Sequence, residues 1–167
     1  MATIQYREAS GLDLSNIYRL LKSEHDLLDM PFPVLNVDKT IRYVSNLVRS
    51  PNGRVWVADL SGRLVGTLIC SIVQPLWSDL WFLSNDFFTV DQHFRKHGVA
   101  QKLIELAKML SEEKRLPIWF EVTTGGRAEL KDRFIAFQGL TYMGGRHLYW
   151  PSSLPHSGVA IVEAPTK

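Results

Sequence analysis

The chain has 167 residues, 46% hydrophobic and 22% charged, which suits one domain with a real core and leaves little room for a second. A net charge of +2 is too small for a nucleic-acid partner, and no apolar run exceeds strand length, so no membrane span is expected. The single cysteine, Cys70, rules out an internal disulfide, and with no apolar leader in the first ten residues the expected location is cytoplasmic.

Ile4 to Arg7 alternates and reads as a short first strand. From Gly11 to Glu24 the spacing turns helical, with Leu14, Ile17, Leu20 and Leu21 on one face and Asp13 or Ser10 as the cap. His25 to Pro33 is a loop, broken by two prolines and two aspartates. Asp38 is the expected cap of a second helix running to Arg49, with Ile41, Val44, Leu47 and Val48 as its stripe. After the turn at 50–53, Val55 to Ala58 and Leu64 to Val73 flank a hairpin connection at Asp59 to Arg63. Trp81 to Val90 is a third long strand, interrupted at Ser84-Asn85-Asp86. The helical period returns from Gly98 to Lys114, where Val99, Leu103, Leu106, Ala107 and Leu110 face inward. Pro117 to Val122 is a strand and Arg127 to Phe137 a helix; Leu140 to Met143 and Arg146 to Trp150 make a closing hairpin. These elements form one domain over residues 1–150. The tail, 151–167, is rich in proline and serine, with Val159 to Val162 as a candidate edge strand.

This order mixes hairpins with one strand–helix–strand crossover, so the expected class is α/β: a mixed sheet with helices on its faces. The crossover makes the strand before Gly98 and the strand after the helix parallel neighbours, and ligands favour the loop between them. That loop crowds Arg95, Lys96 and His97 beside Gly98. A glycine there lets consecutive backbone N–H groups aim at one point, and a helix start favours a nearby anion by about 0.3–1 kcal/mol. Backbone amides from Lys96 to Gln101, with Arg95 and Lys96 on the rim, describe a cradle for a pyrophosphate. Taken alone, a glycine and two cations fit a helix-entry turn with a solvated patch better. No Gly-Lys-Ser/Thr occurs, which disfavours nucleotide hydrolysis, and one glycine is too few for a Rossmann-type turn. His93 and His97 lie in a loop without a third ligand, so no metal is expected.

Arg95-Lys96-His97-Gly98-Val99-Ala100, following a strand that ends in Thr89-Val90, resembles the Arg/Gln-x-x-Gly-x-Gly/Ala loop of the GNAT acyltransferases. Asp59 to Gly66 looks like that family's preceding hairpin, and Phe134 to Leu140 like its late helix-to-strand signature; element order is similar over residues 3 to 150. The resemblance implies the GNAT fold, with a mostly antiparallel twisted sheet flanked by about four helices. It also implies an N-acetyltransferase (or other acyltransferase) that uses acetyl-CoA as cosubstrate and an amine as acceptor, either a small molecule or a protein amino group. By the same resemblance, amides of Lys96, His97, Gly98, Val99, Ala100 and Gln101 hold the pyrophosphate, with Arg95 beside them. The backbone of Phe88, Thr89 and Val90 pairs with the pantetheine arm like an added strand, and an amide near Phe88 polarises the thioester carbonyl.

Direct transfer needs a neutral amine. For a lysine-like acceptor with pKa about 10.4, neutrality at pH 7 costs roughly 4–5 kcal/mol unless the site helps. Asp86 is the only acid in the fourth strand, and in a regular strand it would share a face with Phe88 and Val90; it is the candidate base. Asp91 is expected to fix the loop. The tyrosine that commonly protonates the thiolate in the family is Ile135 here, and Gly125-Gly126-Arg127 replaces the usual asparagine before that helix. Tyr142 is the candidate acid, with Tyr149 or water as substitutes. The alternative is therefore a catalytically inactive, CoA-binding sensor or scaffold. Cys70, amid Leu68, Ile69 and Ile72, reads as core rather than as an acyl carrier. Glu24, His25, Asp26, Asp29, Phe32 and Pro33 are candidates for acceptor recognition. The aromatic segment from Pro75 to Phe82 reads as core packing or a homodimer contact ahead of a pocket wall.

Overall fold

The computed structural model describes residues 3–27, 35–121 and 128–141. Strands β1 (Gln5–Glu8), β2 (Gly53–Leu60), β3 (Arg63–Val73), β4 (Phe82–Val90) and β5 (Ile118–Trp119) form one sheet in that order. The first four pair antiparallel with their neighbours, whereas β5 joins β4 in parallel after the helix α3 (Val99–Lys114). Helices α1 (Leu14–His25), α2 (Val37–Arg49) and α4 (Ala128–Phe137) complete the described elements, giving the mixed α/β architecture expected.

Two cores lie on opposite faces of the sheet. On one, Trp56, Ala58, Leu68, Leu83 and Val90 pack with Val99, Leu103, Ala107 and Leu110 of α3. On the other, Val55, Val57, Leu64 and Ile69 pack with Ile17, Leu20 and Leu21 of α1 and Val44 of α2. Because β2 and β3 are covered on both faces, their sequences run almost continuously apolar instead of alternating. Gly66 lets α3 lie close: a Cβ there would meet Val99 Cγ1 at 2.8 Å.

Local differences from the sequence expectations have local causes. The first helix opens with a 3-10 turn at Gly11–Asp13, whose cap is Ser10: its Oγ accepts the Leu12 N–H, and its N–H donates to Asp13 Oδ2. Asn36, not Asp38, caps α2, accepting the Lys39 N–H at 2.8 Å. Asn36 has the extended backbone that a cap requires, whereas Asp38 is already within the helix. β2 is longer than expected, because β3 pairs with it from Gly53 to Leu60, while β1 pairs with Trp56 to Asp59. Among the described residues, β5 covers Ile118 and Trp119 of the strand expected over Pro117 to Val122. Leu76, Trp77 and Leu80 are exposed rather than core, since they belong to the β3–β4 connection beyond both helical layers. Trp77 does lean edge-on against Trp119, with centroids 6.3 Å apart. Asp29, Phe32, Pro33, Gly125, Gly126, Arg127, Tyr142, Tyr149, the rest of the closing hairpin and the tail with Val159 to Val162 lie outside the described residues. Among the described residues no helix is long and apolar enough to cross a membrane.

Candidate functional site

The site begins where the sheet forks. Among the described residues β4 and β5 pair at Leu83–Ile118 and Ser84–Trp119. At the next step the Asn85 side chain takes over the role of the ladder. Its Oδ1 accepts the Glu121 N–H at 2.6 Å, and its Nδ2 donates to the Glu121 carbonyl at 3.1 Å. Beyond that clamp the outer edge of β4 has no strand partner among the described residues. The Phe88 and Phe120 rings meet edge to face across the opening, 5.4 Å between centroids.

Strand alternation decides which backbone groups line this fork. The Asp91 N–H donates to the Val65 carbonyl, so Thr89, two residues earlier, also turns its polar groups toward β3. Phe88 and Val90 therefore point their N–H groups outward, into the fork. Asp91 then accepts the His93 N–H at 3.0 Å and pairs with Arg63 at 2.9 Å, holding the 3-10 turn Gln92–Phe94 as expected.

The chain next reaches Gly98, at φ 72° and ψ 4°, a left-handed conformation that glycine adopts without a side-chain penalty. The first backbone hydrogen bond of α3 runs from the Lys102 N–H to the Gly98 carbonyl at 3.0 Å, leaving the Val99, Ala100 and Gln101 amides at the open helix end. The His97 amide is spent within the loop on the Phe94 carbonyl at 3.1 Å. Arg95 is likewise engaged: Nε donates to the Val90 carbonyl, and Nη2 pairs with Glu24 of α1 at 2.7 Å. Glu24 also faces Lys131 of α4, so Arg95 is a brace between α1 and the loop more than a free rim cation. Lys96 is exposed, and the Val99 side chain is buried in the core, so any role of Val99 toward a ligand falls to its backbone.

Asp86 lies one residue past the Asn85 clamp, at a β-bulge. Ile69 faces Phe87 and Cys70 faces Asn85, so Asp86 is the extra residue. The bulge breaks the regular alternation assumed from the sequence and turns Asp86 away from the Phe88 and Val90 face, toward α2. There Ser71 Oγ donates to Asp86 Oδ1 at 2.9 Å. The other oxygen, Oδ2, is buried without a hydrogen-bond partner. The Tyr43 hydroxyl of α2 adjoins this carboxyl without closing a well-formed hydrogen bond to it. Burial pushes the Asp86 carboxyl up, and the hydroxyls of Tyr43 and Ser71 only partly offset it. Tyr43 itself is pushed up to about 12, by burial first and then by the neighbouring carboxylate. Cys70 is buried, and burial pushes its thiol up as well, so it stays a protonated core residue. Ile135 is also buried and carries no hydroxyl to the site.

Sequence reasoning missed Asn85, Tyr43, Ser71 and the Glu24 partner of Arg95. An asparagine inside an aromatic strand, where it is a poor strand former, was the one available signal.

The sequence model of the acetyltransferase (GNAT) family matches residues 16–131, from α1 into α4. The chain belongs to the GNAT acetyltransferase family. Among curated proteins no sequence relative matches this GNAT chain. Solved structures similar to it include the aminoglycoside acetyltransferase AAC(6')-Iy in complex with a bisubstrate analog, at 15% identity and TM-score 0.70, covering 92% of this chain and 100% of that one. An aminoglycoside acetyltransferase from an uncultured soil metagenomic sample, in complex with trehalose, has 17% identity and TM-score 0.68, with 89% and 95% covered. A ribosomal-protein-alanine N-acetyltransferase from Brucella melitensis biovar Abortus 2308 has 18% identity and TM-score 0.58, with 92% and 98% covered. At these identities the likeness establishes the GNAT fold.

Proposed function

We propose that this GNAT protein transfers an acetyl group from acetyl-CoA to an amine by direct attack on the thioester. The observation that carries the reading is the fork after Asn85, whose outward Phe88 and Val90 amides lead to the open amides at the start of α3. A pantetheine arm bonded along Phe88 to Val90 delivers its pyrophosphate to Val99, Ala100 and Gln101, with Gly98 giving the approach and Lys96 an exposed cation beside it. Thr89 and His97 take part by holding the backbone, and Arg95 by bracing the loop against Glu24.

In the reaction the amine nitrogen attacks the thioester carbon, with the Phe88 N–H stabilising the oxyanion. Asp86, as carboxylate, takes the proton lost by the amine, the C–S bond breaks, and the thiolate leaves. Ile135 supplies no acid, so the thiolate takes its proton from water or from Tyr142. The acetyltransferase unit is assigned to residues 1–150, with 151–167 as a tail. The acceptor is a small-molecule amine or a protein amino group, the two kinds named for the similar structures. A second reading, a CoA-binding sensor or scaffold without turnover, is favoured by Ile135.

Thiol release from acetyl-CoA, measured with sisomicin, spermidine and an alanyl-terminated peptide as acceptors, separates the two. Amine-dependent release supports the enzyme. Tight CoA binding with no release across the panel leaves the sensor.

A further inference from the structure

We propose that Tyr43 and Ser71 are positioning residues that hold the Asp86 carboxyl at the bulge and leave Oδ2 as the atom that meets the acceptor amine. This rests on Asp86 being the base. A carboxylate oxygen buried without a donor is costly, so a fold that leaves one invites a ligand N–H to complete it. The bulge makes the arrangement specific. In an unbroken ladder Asp86 would turn to the α3 face, and neither hydroxyl would reach it.

Each partner has a distinct part. Ser71, one step from Cys70 on β3, tethers Oδ1 and so fixes the plane of the carboxyl. Tyr43, on α2, comes in beside the same group while 40% of its surface stays exposed. Burial and the adjoining carboxylate push the Tyr43 phenol up to about 12. It remains protonated at every working pH, a neutral hydroxyl beside the carboxyl. Burial alone would favour a protonated, unreactive Asp86; the two hydroxyls oppose that. Among the described residues, the other titratable group beside Asp86 is the Cys70 thiol, which stays neutral. From α1, which packs on the same face through Ile17, Leu20 and Leu21, Arg19 is anchored at the Leu64 carbonyl and Glu24 at Arg95, both toward the Val90 end of β4.

The test is carbon-13 NMR titration of aspartate carboxyls in the full chain, with the Asp86 signal assigned by its loss in Asp86→Asn. Tyr43→Phe and Ser71→Ala are each expected to raise the Asp86 midpoint by about one unit, with Ser71→Thr restoring it. Thermal melting confirms that each variant is folded. With acetyl-CoA and whichever of sisomicin, spermidine or the alanyl peptide turns over, the acidic limb of kcat/KM moves upward by the same amount. A midpoint unmoved in both folded variants overturns the positioning role. A moved midpoint with full turnover in Asp86→Asn overturns a different step, the assignment of Asp86 as base, and with it the meeting of Oδ2 and the amine.

Discussion

Asp86 shows how a single residue can be badly placed for stability and well placed for chemistry. Its Oδ2 is buried and unpaired, and its pKa is raised chiefly by that burial. A carboxyl whose pKa is higher in the folded than in the unfolded state favours folding most when protonated. That advantage is full below the unfolded value and is lost as pH rises through the folded one. Asp86→Asn, which cannot ionise, should therefore gain stability relative to the parent between pH 3 and pH 7, read as the change in urea midpoint at each pH. The same variant should lose about 100-fold or more in kcat, the usual contribution of a general base. A variant that loses activity and gains no relative stability at pH 7 would count against the buried, ionised carboxyl. The sequence singled out Asp86 because it is the only acid in its strand, but not the direction in which it points. That direction depends on a bulge created by pairing with β3.

At the scale of elements, the start of α3 was readable because its determinants are local. Gly98, two cations and the periodic stripe of Val99, Leu103, Ala107 and Leu110 lie within a few turns of each other. Gly98→Ala should cost about 1 kcal/mol through its left-handed φ alone, since nothing lies within 4 Å of the added Cβ. Gly98→Glu bears the same backbone strain but puts an anion at the helix start, where it takes the place of the pyrophosphate. A folded Gly98→Glu protein with no thermal shift on adding CoA is the expected outcome; an undiminished shift would refute the cradle. The fork was not readable. Asn85 and Glu121 lie 36 residues apart, and their pairing ends the β4–β5 ladder. Asn85→Ala removes both bonds, so it should lower stability by about 1–3 kcal/mol and weaken CoA binding together, seen by urea unfolding and calorimetry. Stability lost without any change in CoA affinity would separate the clamp from the site.

For the whole molecule, the edge of the sheet is tied down by charge. Arg7 of β1 bonds both oxygens of Asp13 at 2.8 Å and reaches Asp59 of β2 at 2.8 Å. The Arg7 bond, ahead of the opposing effect of burial, holds the Asp13 carboxyl well below the usual carboxylate range. The stability from this depressed pKa is present above the unfolded value, near 3.8, and is lost as pH falls through and below it. Arg7→Met, which leaves the buried Asp13 with its Ser10 hydrogen bonds but no cation, should cost about 1–2 kcal/mol at pH 7 after allowance for the partly exposed guanidinium, and less at pH 3. Chemical denaturation at the two pH values checks this, and an equal loss at both would remove the ion pair from the account.

The sequence by itself determined the order of elements, the crossover that makes β4 and β5 parallel, and the glycine-entered helix beside them. Each follows from periodicity, turn chemistry or connection length, which act over short stretches of chain. Only the tertiary structure decided where β4 and β5 part, which way Asp86 turns, and that Arg95 braces α1 through Glu24, 71 residues away. Those features arise when distant segments compete for the same hydrogen-bonding edge or the same charge, and no local pattern records the result.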